Sequence, residues 1–456
     1  MSIQLEAISY KDQAGFVIKK KQGYVRYIAH NYAKEYDHLI NSGLYQVLVN
    51  EKLLLSHDEI EDDSSNNEFY KILFPTQISF ISFPFEWTYS QWQEMVQTFI
   101  VINEKALQYG MILKDASPYN FIFFQGKCLL LDTISFDFFK NGDPWIAYRQ
   151  FCEEILSPIA LMTYKGSVWS RLSRSHISGL SLSFVSKALP IASWFNSACL
   201  FHIHLHSKFQ KKKDAIVGNQ SGFTTLKLAT LLGLLKNSIR TWRLPSDDVS
   251  IWNQYYENDI ADTKYLDDKV AIVSQWLFEA NTKTIIDLGA NTGKFSVIAA
   301  SFSKEVIALE NDIACVEKMQ SNFLQMGIKN ITTVVADITQ ASPGLGWANK
   351  EKKALLERLT GDMIMMLALV HHLCITKNIP LQFVAQLAAS TTSRYAIVEF
   401  IPKTDSKTKI LLQHRGDIFK NYTEDYFINC FSEYFTLIKV HHLEASDRKL
   451  FLWEKK

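Results

Sequence analysis

Residues 284–302 read TIIDLGANTGKFSVIAASF. Thr284 to Leu288 is an apolar run of strand length, the next five residues carry two glycines, and from about Gly293 the apolar positions adopt helical spacing. A strand that feeds a glycine turn and then a helix brings backbone N–H groups against a ligand with no Cβ in the way. The segment therefore predicts a cofactor site. Dinucleotide-binding folds use a similar turn with G-x-G-x-x-G spacing. Here the order is Asp287, Gly289, Asn291, Gly293, a D-x-G-x-N-x-G run that departs from that fingerprint.

The downstream chain repeats the alternation of short apolar strands with amphipathic helices expected of a parallel sheet covered on both faces. The second strand ends at Glu310, seventeen residues after Gly293. That carboxylate falls beside the glycine turn, where it can accept hydrogen bonds from a pair of ribose hydroxyls. A third strand ends at Asp337, and further strands are expected at 362–367, 395–400, 435–442 and 449–453. The whole pattern resembles class I S-adenosylmethionine-dependent methyltransferases, with the turn as their motif I. The resemblance implies a Rossmann-like seven-stranded α/β sheet whose last two strands form an antiparallel pair. It implies a cofactor set of Asp287, Gly289, Asn291, Gly293, Glu310 and Asp337, with Asp337 accepting from the adenine amino group. Asp287 would orient the turn and reach the methionine amino group.

Methyl transfer asks little of the protein beyond in-line placement of the acceptor and, for a hydroxyl, a base. After the fourth strand the chain reads LALVHHLCI, residues 367–375, without the Asn-Pro-Pro-aromatic run typical of enzymes that methylate nucleobase amino groups. His371 and His372 fall at the carboxyl edge of the sheet, and His372 is the favoured base, against helix-capping or packing histidines. Glu399 is a second catalytic candidate, against a strand-end carboxylate paired with Lys403. Trp347 in the insertion 342–359, and Trp252, Tyr255 and Tyr256 ahead of the first strand, are candidates for covering the pocket, against ordinary packing.

The N-terminal half reads differently. Short alternating runs over residues 14–55 surround a helix-like stretch at 31–41, and residues 91–108 place apolar side chains on one helical face. Residues 109–136, YGMILKDASPYNFIFFQGKCLLLDTISF, hold Asp115, then Asn120 five residues on, then Asp132 after a strand. The spacing resembles the protein-kinase catalytic loop and its metal-binding aspartate. That resemblance implies a kinase-like α+β domain over 1–206, with Asp115 as base, and with Asn120 and Asp132 as ligands for Mg2+. Residues 1–60 contain only Gly15, Gly23 and Gly43, so no glycine-rich phosphate cover is present, and the nucleotide lysine is missing unless Lys19 or Arg26 pairs with Glu35. A degenerate module for substrate presentation or regulation is expected. The segment 207–244 is read as linker and connecting helix, and 245–456 as the methyltransferase domain. His202, His204 and His206 alternate, so on a strand they would share one face and could meet a metal, though packing is the expected role.

Across most of its length, through LKDASPYN, IDLGANTGKFS, LALVHHL, VEFIPKTDS and HRGDIFKNYT, the chain resembles a bacterial family of methyltransferases related to nodulation proteins. The totals agree with a folded, multidomain chain. Its 456 residues exceed one ordinary core, and the balance of 47% hydrophobic to 21% charged residues is that of a globular protein. Lys and Arg total 48 against 47 Asp and Glu, so no whole-protein field points to nucleic acid, although a local basic groove is compatible with these totals. Six cysteines without CxxC spacing are expected to be reduced core thiols, and a start without an apolar signal core predicts a cytoplasmic protein. No membrane-spanning helix is predicted. The methyl acceptor is not legible.

Overall fold

The computed structural model describes residues 11–61, 68–213, 222–245, 263–412 and 418–456. The chain divides into two compact units, Met1–Asp248 with Pro343–Lys353, and Val249–Ser342 with Ala354–Lys456.

In the first unit the strands β1 (Gly15–Lys20), β2 (Gly23–Ile28), β3 (His57–Ile60) and β4 (Lys71–Pro75) form a sheet in the order β1-β2-β4-β3. The helix Ala33–Asn41 follows the first hairpin. The long helix Tyr89–Gln108 begins at a capping box, with Gln91 N–H donating to Thr88 Oγ1 and Thr88 N–H donating to Gln91 Oε1. It buries Trp92, Met95, Val96, Phe99, Ile100 and Ile102 completely, the face that its 3.6-residue periodicity predicts. From this helix, fully buried Asn103 accepts from the Leu113 N–H at 3.0 Å and so holds β5 (Met111–Leu113) in place. β5 pairs with β8 (Phe136–Phe138), and β6 (Phe121–Phe124) pairs with β7 (Lys127–Leu130). The other regular elements among its described residues are helices.

One sequence expectation changes here. The helix Thr225–Arg240, placed in the connecting segment, belongs to the core of the first unit: Leu228, Leu232, Leu235 and Ile239 are buried. Gln93 also donates to the Trp242 carbonyl at 3.0 Å, and Lys236 pairs with Glu104 at 2.7 Å. The alternating histidines lie on no strand. Leu200–Leu205 is a π-helical turn, so His202 donates to or accepts from Tyr148 (2.7 Å), while buried His204 bonds Ser186 and Ser193 (2.8 Å each) and stacks on Trp194. Packing and local hydrogen bonds account for both rings.

The second unit is built on seven strands: β9 (Thr284–Leu288), β10 (Glu305–Glu310), β11 (Ile331–Val335), β12 (Gly361–Met366), β13 (Thr392–Phe400), β14 (Phe435–His442) and β15 (Lys449–Lys455). Their order is β11-β10-β9-β12-β13-β15-β14, the first five parallel and the last two antiparallel. The central strands are buried on both faces, which is why they read as unbroken apolar runs. The helix Thr263–Ala280 covers one face through Val273, Trp276 and Leu277, packed with Ile285 and Val306. All six cysteines are free and buried. Among the described residues no helix is long and apolar enough to cross a membrane.

Candidate functional site

The turn after β9 carries three residues in the left-handed region, Gly289 (φ 79°), Asn291 (φ 51°) and Gly293 (φ 83°). The Gly289 and Ala290 N–H groups donate to the Leu309 carbonyl at 2.9 and 3.0 Å, stitching the turn to β10. A Cβ on Gly293 would stand 2.5 Å from Phe323 Cζ and 2.7 Å from Met319 Cγ, so this glycine lets the helix Ile313–Met326 close on the turn. Glu310, at the end of β10, accepts from the Asn291 N–H through Oε2 (2.9 Å), and from Asn311 and Asp312 through Oε1 (2.7 and 3.0 Å). Burial raises its pKa against the pull of those backbone donors. The bond from Asn291 ties the predicted ribose carboxylate to the predicted turn.

Asp287 is buried at 2% exposure and accepts from Ser296 Oγ at 2.6 Å. Burial pushes its carboxyl up to about 6, with Ser296 and Lys269 opposing and Glu310 adding to the rise. Asp337 follows β11. Its Oδ1 accepts from the Thr339 N–H and Oγ1 (2.9 and 2.6 Å), and its Oδ2 lies 3.8 Å from Lys377 Nζ. Because β11, β10 and β9 are neighbours in register, the three acidic positions lie on adjoining strand ends. These residues fit a cofactor that carries ribose hydroxyls and cationic or amino groups: acceptors are concentrated at one edge, and the glycines leave the backbone open.

Glu399 is a paired carboxylate, one of the two readings its sequence position allows. Its carboxylate is fully buried. Oε1 accepts from Tyr265 Oη (2.6 Å), and Oε2 accepts from Lys269 Nζ (2.6 Å) and from the Ala368 N–H (2.8 Å). Burial alone would raise its pKa, but Lys269 and Arg448 beside it hold it below the usual carboxylate range. Arg448 in turn bonds Asp405 (2.8 Å) and Tyr265 Oη (3.0 Å). Lys269 is an ion-pair partner, and both oxygens accept hydrogen bonds, so the group is held as an anchored anion. Through Ala368 it fixes the segment that carries His371 and His372. Sequence reading missed Tyr265, Lys269 and Arg448. The available signal was Lys269 itself, four residues from Tyr265 on an otherwise apolar helix face.

His371 is buried, its Nδ1 has no hydrogen-bond partner, and burial followed by His372, Arg448 and Lys269 drives its pKa well down. His372 is partly accessible, is lowered by burial, and lies with its ring 4.1 Å from that of His371. Trp347 is 71% exposed and its segment, Pro343–Lys353, groups with the first unit. Trp252, Tyr255 and Tyr256 lie outside the described residues.

In the first unit, Asp115 and Asn120 meet. Asn120 Nδ2 donates to Asp115 Oδ2 at 2.9 Å, and Asp115 Oδ1 accepts from the Ser117 N–H (2.9 Å) and Gln150 Nε2 (2.6 Å). Asp132 pairs with Arg26 and accepts from Ser135 Oγ at 2.5 Å. Arg26 is therefore matched with Asp132 rather than with Glu35. Burial pushes the nearby Glu154 carboxyl up to about 7, Asp115 adding to the rise. Lys352, from the Pro343–Lys353 segment, lies over the Tyr119 ring at 4.6 Å. Among the described residues no group of three or more His, Cys, Asp or Glu side chains could hold a metal ion, so the expected Mg2+ finds no support.

No family model matches the chain. Nodulation protein NoeA of Rhizobium meliloti (strain 1021) is 26% identical over 382 residues, spanning 82% of this chain and 80% of that protein. The 23S rRNA (uracil(1939)-C(5))-methyltransferase RlmD of Marinomonas posidonica is 33% identical over 88 residues, 19% of this chain and 20% of that protein. Among solved structures, the N-methyltransferase NodS of Bradyrhizobium japonicum WM9 in complex with S-adenosyl-l-homocysteine covers 45% of this chain and 96% of its own, at 11% identity and a TM-score of 0.34. The seven-stranded mixed sheet of the second unit, with its closing antiparallel pair and its glycine turn, is the sheet expected from the resemblance to class I S-adenosylmethionine-dependent methyltransferases.

Proposed function

We propose that the second unit is an S-adenosylmethionine-dependent methyltransferase acting on a hydroxyl of a small molecule or glycan. The observation that carries this reading is the hydrogen bond from Asn291 N–H to Glu310 Oε2, which joins the glycine turn to the acidic strand end. Glu310 would accept from the ribose hydroxyls, and Asp337 from the adenine amino group. Asp287 would favour the cationic end of the ligand, while Gly289, Asn291 and Gly293 admit it to the backbone. The bound cofactor supplies a methyl group made electrophilic by an adjacent sulfonium. His372, the more accessible of the two histidines, takes the acceptor's proton at an imidazole nitrogen that its lowered pKa keeps neutral. Glu399 acts as a positioning residue by holding the Ala368 N–H and thereby the histidine segment.

Glu310→Ala is expected to weaken binding of S-adenosylmethionine by about 1–3 kcal/mol, the cost of losing charge-assisted hydrogen bonds. Glu310→Gln, which keeps one acceptor oxygen, should lose less. Titration calorimetry reads both, with circular dichroism to check the fold. Native affinity in a folded Glu310→Ala protein would remove this residue from the site and the reading with it.

For the first unit we propose a kinase-like module without phosphoryl transfer, serving substrate presentation or regulation. Its support is the Arg26–Asp132 pair, in which a protein cation engages the aspartate that the resemblance assigns to metal. A bifunctional kinase and methyltransferase is the competing reading, as is a binding module that delivers a macromolecule for methylation. Adding ATP with magnesium to the full chain is expected to leave its melting temperature unchanged and to transfer no radiolabel. A rise in melting temperature that disappears in Asp132→Ala would favour the bifunctional reading instead.

A further inference from the structure

From Ile155 to Lys213 the chain has no Asp or Glu and carries eight Lys and Arg, in a protein whose total charge is +1. The near-neutral total thus conceals one strongly basic stretch balanced by acidic sequence elsewhere. The same stretch exposes large apolar side chains. Phe195 is 89% and Ile191 80% exposed, and Phe184, Phe201 and Phe209 are exposed as well. Single exposed apolar residues are ordinary, but five between positions 184 and 209 are not scattered.

Their supporting elements form one packed piece. The helix Leu182–Ala188, the turn Ile191–Phe195, the π-helical turn Leu200–Leu205 and the helix His206–Lys213 contact one another. His204 is the pin: it bonds Ser186 of the first and Ser193 of the second, and its ring stacks on Trp194 at 4.2 Å. Lys208 lies over the other partner of that stack, 4.7 Å from the Trp194 ring. Ile191 and Phe195 are the first and last residues of a short 3-10 helix, both exposed, and exposed Lys187 precedes them. With the buried side held by hydrogen bonds, the apolar side chains are left outward by construction rather than by a loose core.

We propose that this part of the first unit docks on an anionic lipid surface, with Ile191 and Phe195 entering the acyl boundary and exposed Lys187 and Lys208 meeting the headgroups. Aromatic and aliphatic side chains beside a basic stretch are what interfacial binding requires, and no spanning helix is needed. Lipid is favoured over single-stranded nucleic acid because the second most exposed of the five side chains is aliphatic, and stacking on bases uses aromatic rings.

The test is flotation of the full chain with vesicles of phosphatidylcholine containing about one-third phosphatidylglycerol, against phosphatidylcholine alone. Binding is expected only with the anionic vesicles, weakening with salt. It should fall at least about tenfold in Ile191→Ser with Phe195→Ser, and severalfold in Lys187→Glu. All three positions are exposed, so melting curves should match the native chain. The proposal is overturned if the native chain does not float, or if the variants float equally well. It is equally overturned if light scattering shows that the double variant only dissociates a dimer, or if a single-stranded RNA oligomer binds in a variant-sensitive way while vesicles do not.

Discussion

Lys269→Met is expected to destabilise the second unit by about 3–5 kcal/mol, the range for removing one partner of a buried ion pair. Lys269 and Glu399 are 2% and 0% exposed and 2.6 Å apart. Without the ammonium, Glu399 keeps Tyr265, the Ala368 N–H and Arg448 at 3.9 Å, which is too little to compensate a fully buried charge. The carboxyl would respond by taking up a proton, so the variant should lose more stability at pH 8 than at pH 5. Denaturant unfolding across that range measures both effects. Pairing Lys269→Met with Glu399→Leu should recover most of the loss, since replacing both charges removes the desolvation penalty along with the attraction. A single variant as stable as the native chain would mean that Arg448 and Asp405 hold the network alone.

That network marks the limit of what the sequence could tell. The turn, Glu310 and Asp337 were legible because they are local: glycines announce positive φ, doubly buried parallel strands read as continuous apolar runs, and strand ends are marked by the first charge after each run. Lys269 and Glu399 lie 130 residues apart, and neither position carries a local signature of the other. Glu399 read equally as a catalytic group or a paired carboxylate, because its partners come from a helix before the first strand and from the approach to the last. The helix Thr225–Arg240 has the same difficulty, since a connecting helix was legible but the surface it buries against was not. The His-x-His-x-His spacing would share a face only on a strand, and in the π-helical turn His202 and His204 meet separate partners, the packing role expected of them.

Gly289→Val is expected to abolish binding of S-adenosylmethionine while leaving the fold intact, a loss beyond about a hundredfold, or roughly 3 kcal/mol. At φ 79° a branched side chain is strained by about 1–2 kcal/mol. Its Cβ would press only on the Leu369 Cδ1 methyl at 3.1 Å, the far end of a flexible side chain. The protein tolerates that contact, but the side chain then fills the space through which the backbone would meet the ligand. Gly293 should behave in the opposite way. A Cβ there meets Phe323 and Met319 at 2.5 and 2.7 Å, so Gly293→Ala adds about 1–3 kcal/mol of overpacking to a similar strain and lowers stability first. Gly327 supplies the control, with φ 68° and nothing within 4 Å of the added atom, so Gly327→Ala carries strain alone. Comparing melting temperatures of the Gly293 and Gly327 variants isolates helix packing against the turn. Comparing calorimetric affinities of the Gly289 and Gly327 variants isolates close approach of the ligand, and equal affinities in that pair would mean that the cofactor does not lie on this turn.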